Sequence, residues 1–390
     1  MPDDPLPVIH SFPVWLPRTQ TWMHTQVQYL PDSIRPHVVC DRTVNLDQFP
    51  VRDLHCLSAE APIRAYWEGA LRHFHFRHRQ GYLVTIARQA QARIVHSHFG
   101  HIGWIDSPMV TTARCRHMVT FYGSDVNRLP TQDRAWLRRY CDLFAAADAF
   151  LCEGPFMAAA LQELGCPSAK VRVHHLGVET QRIPFRPRQW SAGQPLRILI
   201  ASAFREKKGI PYAFLALGKI KDLVPLEITV IGDSAGDRDS DLEKRRILES
   251  ISDAGLEGQT TMLGFRPYRD MLDRADQHDV FVSPSVTAAD GDTEGGAPVS
   301  IIEMMASGMP VVSTIHCDIP EVVQYGQNDW LVAERDANGL ADRLLWLIKN
   351  PEAWGPMLRQ GRTHIEAEFN AHTQGSTLAE AYRMLMTEPN

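Results

Sequence analysis

The chain has 390 residues, 44% of them hydrophobic, and a formal net charge of −6. That is more chain than one ordinary core holds, so two domains are expected. No stretch nears the ~20 apolar residues of a membrane-spanning helix, and seven cysteines without a CxxC pair exclude a disulfide framework or a thiolate zinc site. The opening MPDDPLPVIHSF carries acids where a secretory signal carries basic residues, which points to the cytoplasm. Charge is uneven. The first 190 residues hold 21 basic and 16 acidic side chains (+5), the remaining 200 hold 19 and 30 (−11), and 13 of the 17 histidines lie in the first half. Such asymmetry fits two domains with different partners; ordinary scatter of surface charge fits almost as well.

In chain order, VIHSF, HVVCD (37–41), ARIVHSH (92–98), HMVTFYG (117–123), AFLCEG (149–154) and VRVHHLG (171–177) read as strands. The segments 131–146 and 155–164 read as helices. The stretch APIRAYWEGALRHFHFRHRQGYL (61–83) interleaves Arg72, Arg77 and Arg79 with Trp67, Phe74, Phe76 and Tyr82. It reads as an amphipathic helix with its aromatics in the core, and the arginines stay open as a surface for anionic lipid. HSHFGH offers His96, His98 and His101 as a metal cluster, since His-x-His on a strand puts two imidazoles on one face. No carboxylate motif accompanies it. The Pro-rich, polar ETQRIPFRPRQWSAGQP (179–195) is the linker candidate. Beyond it the rhythm is plainer. LRILIAS (196–202), LEITVIG (226–232), DVFVSPS (279–285) and PVVST (310–314) alternate with helical stretches at 210–220, 240–254, 299–307 and 336–348. This is βαβ spacing, which implies parallel sheets and ligands beyond the carboxyl ends of the strands. The expected organisation is two α/β domains with a cleft between: 1–185, then 186–376, with the tail 377–390 packing back on the first.

The segment DTEGGAPVSIIEMMASGMPVVST (292–314) carries the most chemistry. Gly295 and Gly296 form a loop of little bulk, Pro298 suits the first helical position, and Gly308 suits the helix end. A glycine loop opening a helix presents backbone N–H groups and a positive dipole end, a match for diphosphate. Helical spacing places Ser300, Glu303 and Ser307 on one stripe. On pattern alone that stripe reads slightly better as a water-facing edge than as a carboxylate awaiting a ribose diol. Upstream, ASAFREKKGIPYAF (201–214) sets Arg205, Lys207 and Lys208 just after a strand, where cations suit phosphate.

These residues carry a resemblance. EGGAPVSIIEMMASGMPVVST, AFREKKG, VIGD (230–233), LGF (263–265) and DVFVSPS resemble, in order, the segments of the family 4 retaining glycosyltransferases. HSHFG, VTFYGSDV (119–126) and KVRVHHLGVE (170–179) extend the likeness into the first half, and TLAEAYRMLM (377–386) looks like the tail that returns to it. The resemblance implies a GT-B fold of two Rossmann-like domains. It further implies metal-independent transfer of a sugar, with retention, from a UDP- or GDP-sugar to a hydroxyl acceptor in bacterial-type polysaccharide or glycolipid biosynthesis. By the same resemblance Glu303 holds the ribose hydroxyls, Glu294 the donor sugar, and Lys208 the diphosphate. Backbone N–H groups of Val299 and Ser300 complete the phosphate site, with Gly295, Gly296 and Pro298 shaping it. His98, Tyr122 and Asp125 are acceptor-side candidates. Three departures stand out. Eight residues separate the glutamates where the family has seven. The family arginine falls at Ala203, with Arg205 two residues later as its stand-in. Tyr122 occupies the place of a family histidine. No cofactor, metal or nucleic-acid partner is expected. The acceptor is a glycan or lipid-linked, and peripheral contact with the cytoplasmic membrane face through the first half is expected. A metal-dependent hydrolase using the HSHFGH histidines, and an inactive GT-B-like binding protein, are the alternatives.

Overall fold

The computed structural model describes residues 4–17, 20–73, 81–326 and 330–387, the side chains of 69–73 excepted. The chain divides into two compact units, residues 1–177 with 371–390, and residues 178–370.

The first unit is built on seven strands: β1 (Leu6–Trp15), β2 (Ile34–Thr43), β3 (Leu54–Cys56), β4 (Ile94–His98), β5 (Arg116–Thr120), β6 (Ala149–Cys152) and β7 (Val171–Val173). All pair in parallel, in the order β3-β2-β1-β4-β5-β6-β7. Helices cover parallel sheets on both faces, so their strands are buried throughout; all five residues of β4 are buried, His96, Ser97 and His98 among them. The order reverses between β1 and β4, which makes their carboxyl ends the switch point. The helix Ala371–Thr387 closes this unit: Leu378, Ala379, Tyr382 and Leu385 pack with Val8, Ile34, Ile94 and Met118. It begins six residues earlier than the expected tail.

The second unit holds β8 (Leu196–Ala201), β9 (Leu226–Ile231), β10 (Thr260–Met262), β11 (Val280–Ser283) and β12 (Val311–Ser313), all parallel, in the order β10-β9-β8-β11-β12. Its switch point lies between β8 and β11. The loops after those two strands, 202–209 and 284–298, carry every second-half site candidate except those on the following helix, Val299–Ser307.

Two expectations are corrected. The stretch 179–195 is not a free linker, and the boundary falls at Gly177 rather than 185. Arg362 donates to the carbonyls of Thr180 (2.9 Å), Ile183 (2.9 Å) and Ala306 (2.6 Å). The amides of Arg186 and Arg188 bond the carbonyls of Ser307 and Gly308, and Trp190 is buried. Polar composition hid a segment whose backbone is satisfied by the second unit. A Cβ on Gly308, at φ +83°, would stand 2.9 Å from Pro187 atoms, so glycine is what lets this strap lie close. The second correction concerns 61–83. Tyr82 is buried, but Ile63, Tyr66 and Trp67 on the helix Pro62–His73 are 77%, 74% and 62% exposed. Phe74, Phe76, Arg77 and Arg79, and the Arg72 side chain, lie outside the described residues. No described helix is long and apolar enough to cross a membrane.

The Tyr382 hydroxyl lies 2.7 Å from His96 Nδ1, both fully buried. Tyr382→Phe strands that nitrogen and is expected to cost about 1–3 kcal/mol in urea denaturation. Trp67→Ser, on the exposed stripe, is expected to stay within about 0.5 kcal/mol of wild type.

Candidate active site

In the second unit the loop after β8 turns through Glu206–Lys208 into Gly209, at φ +62°. A Cβ on Gly209 would meet the Pro284 carbonyl at 1.9 Å. Only glycine lets the β8 and β11 loops approach this closely, and the approach brings the two lysines to the acidic loop. Lys208 Nζ lies 2.8 Å from Glu294 Oε2, and Lys207 Nζ bonds Asp292 Oδ1 (3.2 Å) and the Thr293 carbonyl (2.8 Å). Ser285 donates to the other Glu294 oxygen at 2.9 Å. Burial alone would raise the Glu294 carboxyl. The charges of Lys208 and Lys207, and the bond from Lys208, outweigh it and hold the group below the usual carboxylate range. The additional residue between the glutamates therefore does not part Glu294 from Lys208.

The loop is held from a third side by residues that pattern reading did not single out. The Glu294 amide donates to His316 Nε2 at 3.1 Å, and His316 Nδ1 lies 2.6 Å from Glu334 Oε1. The carboxylate accepts from Nδ1–H, which leaves Nε2 as the acceptor. Cys317 Sγ is 3.2 Å from the same nitrogen, in a backbone at φ +47°. Lys207 was visible only as one of three basic residues. The Arg205 guanidinium makes a two-pronged pair with Asp237 (2.8 and 2.6 Å), the N-cap of the helix Arg238–Ala254.

The helix Val299–Ser307 starts beyond Gly295, Gly296 and Pro298 with no side chain capping it, and with Val299 and Ser300 half-buried. Pro298 sits at the cap position, one residue before the place expected. Glu303 and Ser307 are 4% and 5% exposed, which overturns the water-facing reading of their stripe. Tyr268 donates to Glu303 Oε1 at 2.6 Å. Burial raises the Glu303 carboxyl to about 7, and the tyrosine bond only partly offsets it.

In the first unit His98 ends β4, and Tyr122 and Asp125 follow β5. Asp125 accepts from the amides of Gly100 (2.7 Å) and Tyr122 (2.9 Å), and Tyr140 donates to its carbonyl. Burial lifts its carboxyl to about 6, with the amide bonds pulling the other way. Asp125 is spent on fixing the turn and the start of the helix Gly100–Ala113. The Tyr122 hydroxyl lies 2.6 Å from His98 Nδ1 and 3.2 Å from Gln26 Oε1, with the Trp22 ring 4.1 Å from its own. Burial pushes the phenol well above its ordinary value, so it is a hydrogen-bonding group and no base. The histidines regroup. His10, His96 and His98 come together, fully buried, while His101 packs its ring by Phe99 and Trp136. Burial drives all three well below the ordinary imidazole range, His10 to about 3. His10 Nδ1 lies 3.1 Å from His98 Nε2, and His96 Nε2 lies 2.6 Å from Thr120 Oγ1.

The raised Glu303 carboxyl sets a pH dependence. The folded protein binds its proton up to about pH 7, whereas an unfolded glutamate releases it near 4.3. The group therefore favours folding below about 4 and loses that contribution as pH rises through 7. In denaturation from pH 4 to 8, wild type should lose up to about 3 kcal/mol relative to Glu303→Gln.

Residues 195–350 match the family described as glycosyl transferases group 1, and residues 19–182 match glycosyltransferase family 4. The chain is 33% identical to the amylovoran biosynthesis glycosyltransferase AmsK of Erwinia amylovora, over 74% of its own length and 69% of the relative's. It is also 33% identical to the colanic acid biosynthesis glycosyltransferase candidate WcaL of Escherichia coli K12, over 77% and 72%. The crystal structure of Anabaena HepE in complex with UDP-glucose superposes with a TM-score of 0.76 at 16% identity, covering 97% of this chain and all of that one, a likeness of fold. Two Rossmann-like parallel-sheet units of this kind, matched along most of their length, make the chain an enzyme of glycosyltransferase family 4 with the GT-B architecture.

Proposed function

We propose that this enzyme moves a sugar, with retention, from a UDP- or GDP-sugar to a hydroxyl of a glycan or lipid-linked acceptor in polysaccharide or glycolipid biosynthesis. The carrying observation is the convergence of Lys208, Glu294 and the uncapped start of Val299–Ser307 around one loop, with Glu303 buried on the same helix. The relatives' names, amylovoran and colanic acid biosynthesis, support the pathway class. HepE was crystallised with UDP-glucose, which supports a nucleotide-sugar donor.

In this reading the diphosphate lies on the amides of Val299 and Ser300 and on Lys208, Glu303 takes the ribose hydroxyls, and Glu294 takes hydroxyls of the donor sugar. The bond from the anomeric carbon to the phosphate oxygen breaks, and the nucleoside diphosphate leaves with its electron pair. The acceptor oxygen attacks from the same face, and its proton passes to the departing phosphate oxygen. Lys208 and the helix start meet the growing charge, so the reading assigns the step no metal. Stoichiometric metal required for turnover would count against it. His98 and Tyr122 serve the acceptor side, with Asp125 holding their turn. Membership of a glycosyltransferase family displaces the hydrolase reading of the histidines. Slow donor hydrolysis without acceptor would separate an active enzyme from an inactive binding protein.

Lys208→Ala is expected to lower kcat about a hundredfold or more and donor affinity much less, because its charge counts most in the transition state. Arg205→Ala is expected to keep kcat within a fewfold of wild type, since its partner is Asp237. Single-turnover and steady-state assays distinguish these; equal losses in both variants would return Arg205 to the site.

The location follows as part of the same proposal: a cytoplasmic enzyme attached reversibly to the membrane face. Ile63, Tyr66 and Trp67 form an exposed stripe, and the next basic residues in sequence are Arg72, Arg77 and Arg79. Three such charges near an anionic surface contribute ~1 kcal/mol each. Co-sedimentation with anionic vesicles should occur at low salt, weaken at high salt, and fall in Trp67→Ser or when all three arginines become glutamine. No binding at low salt would remove this surface.

A further inference from the structure

Glu294 stands on the loop after β11, just before the chain turns through Gly295 at φ +81°. Lys208 and Ser285 hold the two oxygens of its carboxylate. Its backbone amide is held by a side chain from beyond β12, His316, with Nε2 at 3.1 Å. An amide N–H only donates, so Nε2 carries the lone pair and Nδ1 the proton. Cys317 agrees with that assignment. Burial pushes its thiol up to about 12, so it stays an S–H donor, and its Sγ lies 3.2 Å from the same Nε2.

Nδ1 meets Glu334 Oε1 at 2.6 Å. Burial works against this carboxylate, but the bonds from His316 and from the Thr287 amide outweigh it and hold the group below the usual range. Glu334 Oε2 accepts from the Thr287 amide at 2.8 Å, and Oε1 accepts from the Thr287 hydroxyl at 3.1 Å. One carboxylate thus holds the loop at two places, Thr287 directly and Glu294 through the imidazole. Backbone pairing sets the two side chains beside each other. Past β12 the Ile315 amide bonds the Val332 carbonyl at 2.7 Å, and the Val332 amide bonds the Ser313 carbonyl at 3.3 Å. His316 follows one residue after Ile315, and Glu334 two after Val332. The imidazole is 2% exposed, so packing as well as hydrogen bonding fixes it.

We propose that His316 is a positioning residue of the transfer reaction: locked in one tautomer by Glu334, it fixes the Glu294 backbone and so sets where the Glu294 carboxylate meets the donor sugar. The inference rests on the reading of Glu294 as the donor-sugar contact given above. His316 acts through Glu294 alone and has no share in holding the nucleoside diphosphate, which that reading places on Lys208, the helix start and Glu303. A group misplaced by ~1 Å can cost about a hundredfold in rate, so a brace of this kind is felt in turnover.

The test uses hydrolysis of UDP-glucose, UDP-galactose or GDP-mannose, whichever wild type cleaves fastest, and calorimetric binding of the matching UDP or GDP. The variants are His316→Phe, Glu334→Gln, Glu294→Ala and the double variant of His316→Phe with Glu294→Ala. Circular dichroism melts establish that each is folded. Glu334→Gln replaces one oxygen by an NH₂ group, which then faces either the Thr287 amide or His316 Nδ1–H, donor against donor. Should His316→Phe fail to fold, this smaller change carries the test. Both variants should lower kcat about tenfold or more and bind the nucleoside diphosphate within about threefold of wild type. In the Glu294→Ala background, His316→Phe should cost less than about twofold, because residues acting as a unit are not additive. Wild-type turnover in His316→Phe or in Glu334→Gln would overturn the proposal. So would a fall in nucleoside diphosphate affinity as large as the fall in turnover, which marks a collapsed loop. An equal loss from His316→Phe with and without the Glu294 side chain would also overturn it. Wild-type turnover in Glu294→Ala would remove the donor-sugar reading itself, and this inference with it.

Discussion

Two carboxylates leave water in the second unit, and the way each is compensated orders everything around it. Burying a charged carboxylate costs several kcal/mol unless charge or hydrogen bonds replace the solvent. Glu294 receives Lys208, the nearby charge of Lys207, and the Ser285 hydroxyl, and it stays ionised. Glu303 receives one phenol, and its carboxyl rises to about 7. Two acids on one loop and helix are thereby shifted in opposite directions, Glu294 below and Glu303 above the usual carboxylate range. In the proposed site the ionised one ties the lysine that meets the diphosphate.

The Lys208–Glu294 pair also explains why the loop geometry is so heavily supported. Both partners are largely buried, with side-chain exposures of 20% and 6%, so a misplaced loop would strand a charge. Support comes from the close passage at Gly209, from Lys207 on the Thr293 carbonyl, and from the Glu334–His316 couple that accepts the Glu294 amide. The additional residue between the glutamates is absorbed within this frame, where Gly295 turns at φ +81° and its amide reaches Thr293 Oγ1. The supports draw on residues that follow three strands: Lys207 and Gly209 after β8, Pro284 after β11 and His316 after β12. Convergence of those ends is what a parallel sheet offers, and pairing across the switch point uses it.

The second unit was largely legible because its strands are mostly buried and read as short apolar runs such as LRILIA and LEITVI, broken near the start by the exposed Arg197 and Glu227. Its helices at 210–220 and 299–307 appeared where the structure has them. The first unit was harder for a physical reason. Its central strands bury imidazoles, His10 in β1 and His96 and His98 in β4, at positions where a hydropathy pattern sees polar breaks. β3 and β10, three residues each, are too short to carry a period. His10 joins the histidines of β4 only through the β1–β4 pairing, across more than eighty residues, which no local spacing encodes. His316 and Glu334 escaped for the same reason, and Trp67 was assigned to a core because amphipathicity gives the direction of a face and not what covers it.

The histidine cluster shows how neutral groups can be as constraining as charged ones. Burial denies all three imidazoles a second proton, so each has one donor and one acceptor nitrogen. The contacts run from Thr120 through His96, Tyr382, His10 and His98 to Tyr122 and Gln26. Fix one proton in such a chain and the rest follow. With Tyr122 donating to Gln26 Oε1, its oxygen accepts from His98 Nδ1–H. His98 Nε2 then accepts from His10 Nδ1–H, and His10 Nε2 from the Tyr382 hydroxyl. The Tyr382 oxygen in turn accepts from His96 Nδ1–H, and His96 Nε2 from Thr120. Every bond in that sequence is satisfied. The chain of bonds couples the helix that closes the unit, through Tyr382, to the orientation of the Tyr122 hydroxyl at the carboxyl end of β5.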